Sequence, residues 1–294
     1  MQLRDSFVDL VVLNYNDSES TIGFLQLMES HSCIRYIVIV DNCSTDESYG
    51  KLKMHENSKV IVLRTDFNGG YGYGNNFGCK YCREKLGGKY ILICNPDTYI
   101  ENQTILAMLS QMMSEKKAII CSCVMTDKLG NRCKNTAWRI PTYYQIIMHD
   151  LIFPEKFLGV GYQYYNIESK ENINVECVQG SLYLLDVDKF IDIGGFDEEV
   201  FLFNEENIIG HKIKTNKYDV ILLTDFEYWH LHSVSINKSY SSIKAKWKLD
   251  WDSQKIYLKK YLHINKIGIL CAYVIMIMRL LEIEVKCTLV KNVR

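Results

Sequence analysis

Four short apolar runs constrain the fold of this 294-residue chain more than any other feature. They occupy residues 7–13, 36–40, 60–63 and 90–94, and each stops at a polar cluster. Runs of this length, rich in Val and Ile and bounded by turn residues, read as buried strands. Between them lie helical signals. Residues 17–20 offer N-cap side chains to a helix reaching about Glu29, the 41–46 cluster can cap a helix near Glu47, and residues 104–114 carry helical periodicity. Strands alternating with helices at this spacing predict an α/β chain with a mostly parallel, doubly wound sheet over residues 1–115. In such sheets ligands bind beyond the carboxyl ends of the strands. The polar clusters 41–46, 68–78 and 95–97 are therefore expected on one edge, with 68–78 as a Gly/Asn-rich loop leading into a helix. The second half is less regular. Strands are expected at 119–125, at 177–185 through Gly180, and at 220–224. Residues 139–175 read as irregular, and helices are expected from about Glu205 and over 243–262 and 267–285.

Composition removes other classes. Apolar residues make up 48% and charged residues 23%, which suits a globular core and excludes disordered, fibrous and multi-span membrane chains. Residues 238–294 carry twelve Lys and Arg against four Asp and Glu, a charge of +8, and the rest of the chain carries −9. A basic segment on an acidic body is expected to meet something anionic, a membrane surface or a nucleic acid. No nucleic-acid module is recognisable, which disfavours the second. The eleven cysteines are odd in number and irregularly spaced, which points to reduced thiols and a cytoplasmic setting. No signal-peptide pattern follows Met1. The apolar run 267–278 ends at Arg279, short of the ~20 residues of a standard span.

Five clusters carry residues suited to chemistry. Asn95-Pro96-Asp97 sets a carboxylate at a strand end, where a hard cation can be held; it is also an ordinary turn. Asp41 to Asp46 can hydrogen-bond a base and ribose, or simply cap a helix. The glycines of 68–78 permit close backbone approach, and the helix start beyond them can face phosphates. Glu205-Glu206 can supply a general base, or complement a helix dipole. His230 and His232 alternate after a strand, and one can serve as a metal ligand. Singly, none of these excludes the plainer alternative.

Their order is more specific. VVLNYN (11–16), IVIVDNCSTDES (37–48), NGGYGYGNNFG (68–78) and NPDTYI (95–100) together resemble the family 2 inverting glycosyltransferases. The nearest subgroup is the rhamnosyltransferase-like enzymes of bacterial surface polysaccharide assembly. RIPT (139–142), QGSLYLL (179–185), GGFDEEVFLFNEEN (194–207) and HLHSVS (230–235) follow in the same order. The resemblance spans residues 8–237. It implies a GT-A fold, Rossmann-like with a mostly parallel central sheet flanked by helices. Residues 1–115 would be the nucleotide-sugar half and 116–237 the acceptor and catalytic half, with a basic, apolar helical extension over 238–294.

The resemblance also implies roles. Asn14, Tyr15 and Asn16 would lie against the nucleotide base, with Asp41 contacting it. Asn68, Gly69 and Asn76 would flank the nucleotide and diphosphate. Asp97, with His230, would hold Mg2+ or Mn2+, and Asn95 replaces the first acidic residue of the metal-binding element. Glu206 would be the base and Glu205 its acidic neighbour. The expected substrates are a dTDP- or UDP-sugar, with rhamnose the first candidate sugar, and a saccharide or lipid-linked acceptor. One departure stands out: Ile208 occupies the place of a usual Asp. It motivates the alternative of a catalytically degenerate sugar-nucleotide-binding or scaffold protein. A nucleotidyltransferase would want a Gly-rich basic loop before residue 40, and none is present. For the extension, three readings stay open: peripheral contact with the inner face of the membrane, packing on the domain, and a homodimer contact.

Overall fold

The computed structural model describes residues 7–150, 161–168, 171–231 and 243–292. The first part alternates as its apolar runs require: β1 (Val8–Asn14), α1 (Ser18–Met28), β2 (Ile34–Asp41), α2 (Ser48–Lys53), β3 (Val60–Arg64), α3 (Gly70–Tyr81) and β4 (Tyr90–Cys94). β1 pairs in parallel with β2 and β4, and β2 with β3. These strands are mostly apolar because both faces are covered, and the charges inside them pair, Asp9 of β1 with Arg35 of β2 at 2.6 Å. Leu10, Val12, Ile37, Ile39 and Leu92 enter one core cluster. The alternate residues Val11, Val38, Val40, Ile91 and Ile93 enter the other, as a period of two demands.

The chain continues through β5 (Thr98–Tyr99), α4 (Asn102–Ser114), β6 (Ala118–Thr126), β7 (Ala137–Trp138), α5 (Tyr143–Asp150), β8 (Ile173–Val175), β9 (Cys177–Val178), β10 (Leu182–Asp186), α6 (Val187–Asp192), α7 (Glu205–Thr215) and β11 (Asp219–His230). Among the described residues the main sheet has nine strands in the order β3-β2-β1-β4-β10-β6-β11-β5, with β8 added on β11. β10 runs antiparallel to its neighbours β4 and β6, and β11 runs parallel to β6.

Four local expectations change, the first being that residues 139–175, read as irregular, hold the helix α5 and the strand β8. The glycine-rich run is helix rather than loop, since α3 starts at Gly70. Glycine has poor helix propensity, and here tertiary packing overrides it. A Cβ at Gly74 would lie 2.2 Å from Leu13 and one at Gly78 2.6 Å from Val11, so bare backbone lets α3 lie directly on β1. The strand expected at 177–185 is two strands, β9 and β10, broken at residues 179–181. The short strand at 220–224 is the first part of twelve-residue β11, which shifts register between Leu223 and Glu227 and then continues to His230. His232 and the rest of the 232–235 motif lie outside the described residues, as do residues 1–6 and 151–160.

The C-terminal region is α8 (Ile243–Ile256), extended by a wider helical turn over Tyr257–Tyr261, and then α9 (Lys266–Asn292). It builds a third apolar cluster. Trp251, Tyr257, Leu258, Ala272 and Met276 pack with Ile146 and Ile147 of α5, Val200, and Ile208 of α7. Polar ties fix it to the same segment: Ser253 Oγ donates to the Leu202 carbonyl at 2.6 Å, and Asp197 accepts from Tyr261 at 2.5 Å and pairs with Lys260 at 2.9 Å. Ile208, 1% exposed, is thus the apolar contact on which this region docks. The outer face of α9 stays open, with Ile267, Leu270, Val274, Met278 and Leu281 each about half exposed or more. No helix among the described residues is long and apolar enough to cross a membrane.

Candidate active site

A cleft of about 370 Å³ opens at the carboxyl ends of β1 and β4. Its floor is the end of β1 with Tyr15, the turn Asn95-Pro96-Asp97 forms one side, and Gly180, Ser181 and the segment 201–206 form another.

The turn is fixed by the backbone. Asn95 N–H donates to the Ser181 carbonyl at 3.0 Å, and the Thr98 hydroxyl donates to the Asn95 carbonyl at 2.7 Å. Because β11 runs past its bulge, His230 pairs with Thr98 of β5, and Leu231 N–H donates to the Asp97 carbonyl at 2.9 Å. His230 Nε2 therefore lies 3.3 Å from Asp97 Oδ1, and both residues are 9% exposed. The carboxylate suits Mg2+ or Mn2+, and the imidazole nitrogen beside it favours Mn2+ of the two. No group of three or more His, Cys, Asp or Glu side chains able to hold a metal occurs among the described residues. Two protein donors fit an ion that fills its remaining positions with substrate phosphates and water.

The acidic pair is presented by a strained turn. Phe203 and Asn204 adopt φ of 73° and 64° in succession, uncommon for non-glycine residues and typical of functional sites. Asn207 holds the turn: its Nδ2 donates to Asn204 Oδ1 at 3.0 Å and to the Tyr162 hydroxyl at 3.2 Å, while its Oδ1 accepts from Trp138 Nε1 at 2.8 Å. Glu205 and Glu206 then open α7. Burial pushes both carboxyls above the usual range. Glu205 goes further, since the Glu206 charge adds to its desolvation and its Oε1 has no hydrogen-bond partner among the described residues. Glu206 Oε1 accepts from Gly180 N–H at 3.2 Å, which favours its ionised form. The environment thus separates the two: Glu205 is the more readily protonated, and Glu206 is the better anion.

Gly180 also receives Tyr71, whose hydroxyl donates to its carbonyl at 2.5 Å. Gly70, at φ 86°, lets Tyr71 N–H donate to the Phe201 carbonyl at 2.9 Å; a Cβ there would run into that carbonyl.

Eight of the expected residues line this cleft: Asn14, Tyr15, Asn68 and Asn95, and with them Asp97, Glu205, Glu206 and His230. Asn16, Asp41, Gly69 and Asn76 are not among its lining. Asp41 is fully buried, accepting from Asn14 Nδ2 at 2.9 Å and Ser44 N–H at 3.0 Å. Asn16 accepts from Thr45 N–H, Gly69 lies beneath the Tyr73 ring, and Asn76 clamps both backbone groups of Phe196. Asn68 reaches the cleft while also accepting from Asn42 and Gly70.

A second chamber of about 260 Å³ meets the cleft at Gln179, Phe203, Asn204 and Glu206. Sequence reasoning missed its walls, among them Trp138, Asn207, Gln254 and Arg279. Two signals were available: Asp250 and Gln254 stand four apart on one helix, and Arg279 interrupts an apolar run.

The chain compares with known proteins as follows. It is 23% identical over 197 residues to "Rhamnosyltransferase WbbL" of Escherichia coli (strain K12), covering 61% of this chain and 72% of that protein. It is 23% identical over 199 residues to "Low-salt glycan biosynthesis hexosyltransferase Agl10" of Haloferax volcanii, covering 68% of this chain and 59% of the other. A crystal structure of GalNAc-T7 with UDP, GalNAc and Mn2+ superposes with a TM-score of 0.59 at 14% identity, over 78% of this chain and 44% of that one. That likeness shows the GT-A fold. The profile of Glycosyl transferase family 2 matches residues 10–189, which takes in most of β1, β2 to β4, the Asn95-Pro96-Asp97 turn and Gly180. Matched over more than half of its length, the chain belongs to glycosyl transferase family 2.

Proposed function

We propose that the chain is an inverting, metal-dependent glycosyltransferase that moves a sugar from a nucleoside diphosphate to a saccharide or lipid-linked acceptor of a cell-surface polysaccharide. The observation that carries this reading is the position of Glu206, on the wall of the cleft and of the second chamber at once. A donor in the cleft and an acceptor hydroxyl in the chamber would meet at that carboxylate.

Asp97 and His230 would hold the ion from the cleft side, and Asn14, Tyr15 and Asn68 would contact the nucleotide. Asp41, Asn16, Gly69 and Asn76 would act from behind, fixing the residues that line it. A bound Mg2+ or Mn2+ would stabilise the charge developing on the departing nucleoside diphosphate. Glu206 takes the acceptor proton as the acceptor oxygen bonds to the anomeric carbon and the bond to the diphosphate breaks, so the anomeric centre inverts and no covalent enzyme intermediate forms. A carboxylate made more basic by burial suits that transfer near neutral pH. Burial makes Glu205 the more readily protonated of the pair, which limits the negative charge beside Glu206. The similarity to a rhamnosyltransferase supports dTDP-rhamnose as the first donor to try, ahead of UDP-sugars.

The open apolar face of α9 supports peripheral contact with a bilayer. Ile267, Leu270, Val274, Met278 and Leu281 recur at helical spacing, and exposed Lys244, Lys248, Lys255, Lys259 and Lys266 accompany them. Ile208 no longer calls for a degenerate protein, because its packing accounts for it.

The test is calorimetric titration with dTDP and with UDP, each with and without Mn2+. Metal-dependent binding that weakens in Asp97→Ala is the expected result. No binding of either nucleotide under any metal condition overturns the reading.

A further inference from the structure

Resting on that transferase reading, we infer that the C-terminal helices form the acceptor-selecting wall, and that the second chamber takes a neutral terminal saccharide ring. The profile match ends at residue 189, and the chamber is closed by residues beyond it: Asp250 and Gln254 of α8 and Arg279 of α9.

The lining chemistry points to a polyhydroxylated ring. Side-chain amides come from Asn135, Gln179, Asn204 and Gln254, while that of Asn207 is taken up by Trp138, Tyr162 and Asn204. An amide both donates and accepts, and so does a hydroxyl, so a wall of amides matches hydroxyls in either sense. Aromatic rings form a platform beside them. Tyr162 stacks on His149 at 4.6 Å and 22°, and on Trp138 at 6.3 Å and 21°. Flat apolar faces of this kind receive the C–H face of a sugar ring.

Charge selects against an anionic acceptor unit. Arg279 Nη1 lies 3.5 Å from Asp250 Oδ2, so the one Lys or Arg among the described lining residues is balanced by that carboxylate, and Glu206 adds a second carboxylate at the mouth. His149 is the remaining titratable side chain that lines the chamber besides the two tyrosines. A phosphate or uronate would face this acidic surround.

The route by which the wall is held is equally specific. Ile208 lies two residues after Glu206 and is buried in the cluster that receives Trp251, Tyr257 and Met276. Asn207, between them, braces Trp138, Tyr162 and the turn at Asn204. Base, aromatic platform and C-terminal wall are therefore assembled on three consecutive residues of α7. Asn207 is a positioning residue in this arrangement, and Gln254, Asp250 and Arg279 determine specificity.

The experiment uses the full chain and a panel of methyl glycosides of glucose, galactose, N-acetylglucosamine and rhamnose, with glucuronic acid as the anionic control. Binding is read by saturation-transfer NMR, and the dTDP and UDP titrations are run on the same samples. At least one neutral glycoside is expected to bind, with affinity reduced at least tenfold in Gln254→Ala and in Arg279→Ala while the nucleotide titration is unchanged. Arg279→Lys, which keeps the packed stem and loses the guanidinium fork, is expected to show the same loss and guards against an unfolded variant. Three results overturn the inference: no neutral glycoside binding to a chain that binds nucleotide, binding unchanged in all three variants, or binding of glucuronic acid alone. Glycoside binding in a chain that takes neither nucleotide leaves the chamber assignment standing and overturns the transferase reading instead.

Discussion

The cleft and the chamber share Glu206 but are built by different means. The cleft is made where parallel strands stop: Asn14 ends β1, Asp41 ends β2, and Asn95 follows β4. Its residues are set by sheet register and by short-range bonds such as Asn14 to Asp41 and Thr98 to Asn95. The chamber is made by packing. Trp138, Tyr162, Asn207, Gln254 and Arg279 come from five separate parts of the chain and are held by one apolar cluster. On the proposed reading, binding of a nucleotide would depend on the sheet, and choice of acceptor on how the C-terminal helices dock. A family that keeps the first and varies the second can keep its chemistry while changing its product.

The largest effect is expected where the two regions meet. Glu206→Gln should lower transfer by on the order of 10²–10⁴, with the nucleotide titration intact; equal losses of binding and turnover would mean that the carboxylate belongs to the cleft alone. Next is the chamber side. Ile208→Ala should cost about 2–5 kcal/mol in denaturant unfolding and expose the 262–266 connection to protease before the sheet yields. On the cleft side, Gly78→Val should cost roughly 1–3 kcal/mol, because its Cβ meets Val11 and Val40, and should weaken nucleotide binding without that early proteolysis. Loss of the helices in both variants would dissolve the distinction.

A smaller effect concerns pH. Burial on folding raises the Glu205 pKa above its ordinary carboxylate value, so the folded chain holds a proton that the unfolded chain releases first. Stability is therefore expected to fall as pH climbs from that value through the raised one. Melting temperature measured from about pH 5 to 8 should show this decline, and Glu205→Gln should flatten it. The smallest change in stability, within about 0.5 kcal/mol, is expected for Leu270→Ser with Val274→Ser on the open face of α9. Their co-sedimentation with anionic vesicles should nonetheless drop, and unchanged sedimentation would count against membrane contact.

This division also decides what could be read from the sequence. The period-two runs of β1, β2 and β4 and the polar residues at their ends placed most of the cleft, because there the neighbours in space are neighbours in the chain or one βαβ unit away. Asp97 and His230 were named together only through family resemblance; the register shift in β11 that brings them together leaves no local signal. The glycines of α3 read as loop because their helicity is imposed by β1 beneath them. The break at 179–181 falls on Gln179-Gly180-Ser181, a polar interruption that the single-strand reading passed over. For the chamber, Gln254 and Arg279 carry no motif, and their meaning depends on a docking geometry that Ile208 makes possible.

Gly180 gives the two regions a common joint. Its carbonyl accepts from Tyr71 on the Gly-rich helix, and its N–H donates to Glu206. On the proposed reading, a shift of that helix under a bound donor would alter the hydrogen bond to the Glu206 carboxylate, and a change of charge there would act back on the helix. Donor occupancy and proton affinity would then be reciprocal quantities, and the acid–base titration of the chain would become a gauge of whether a donor is present.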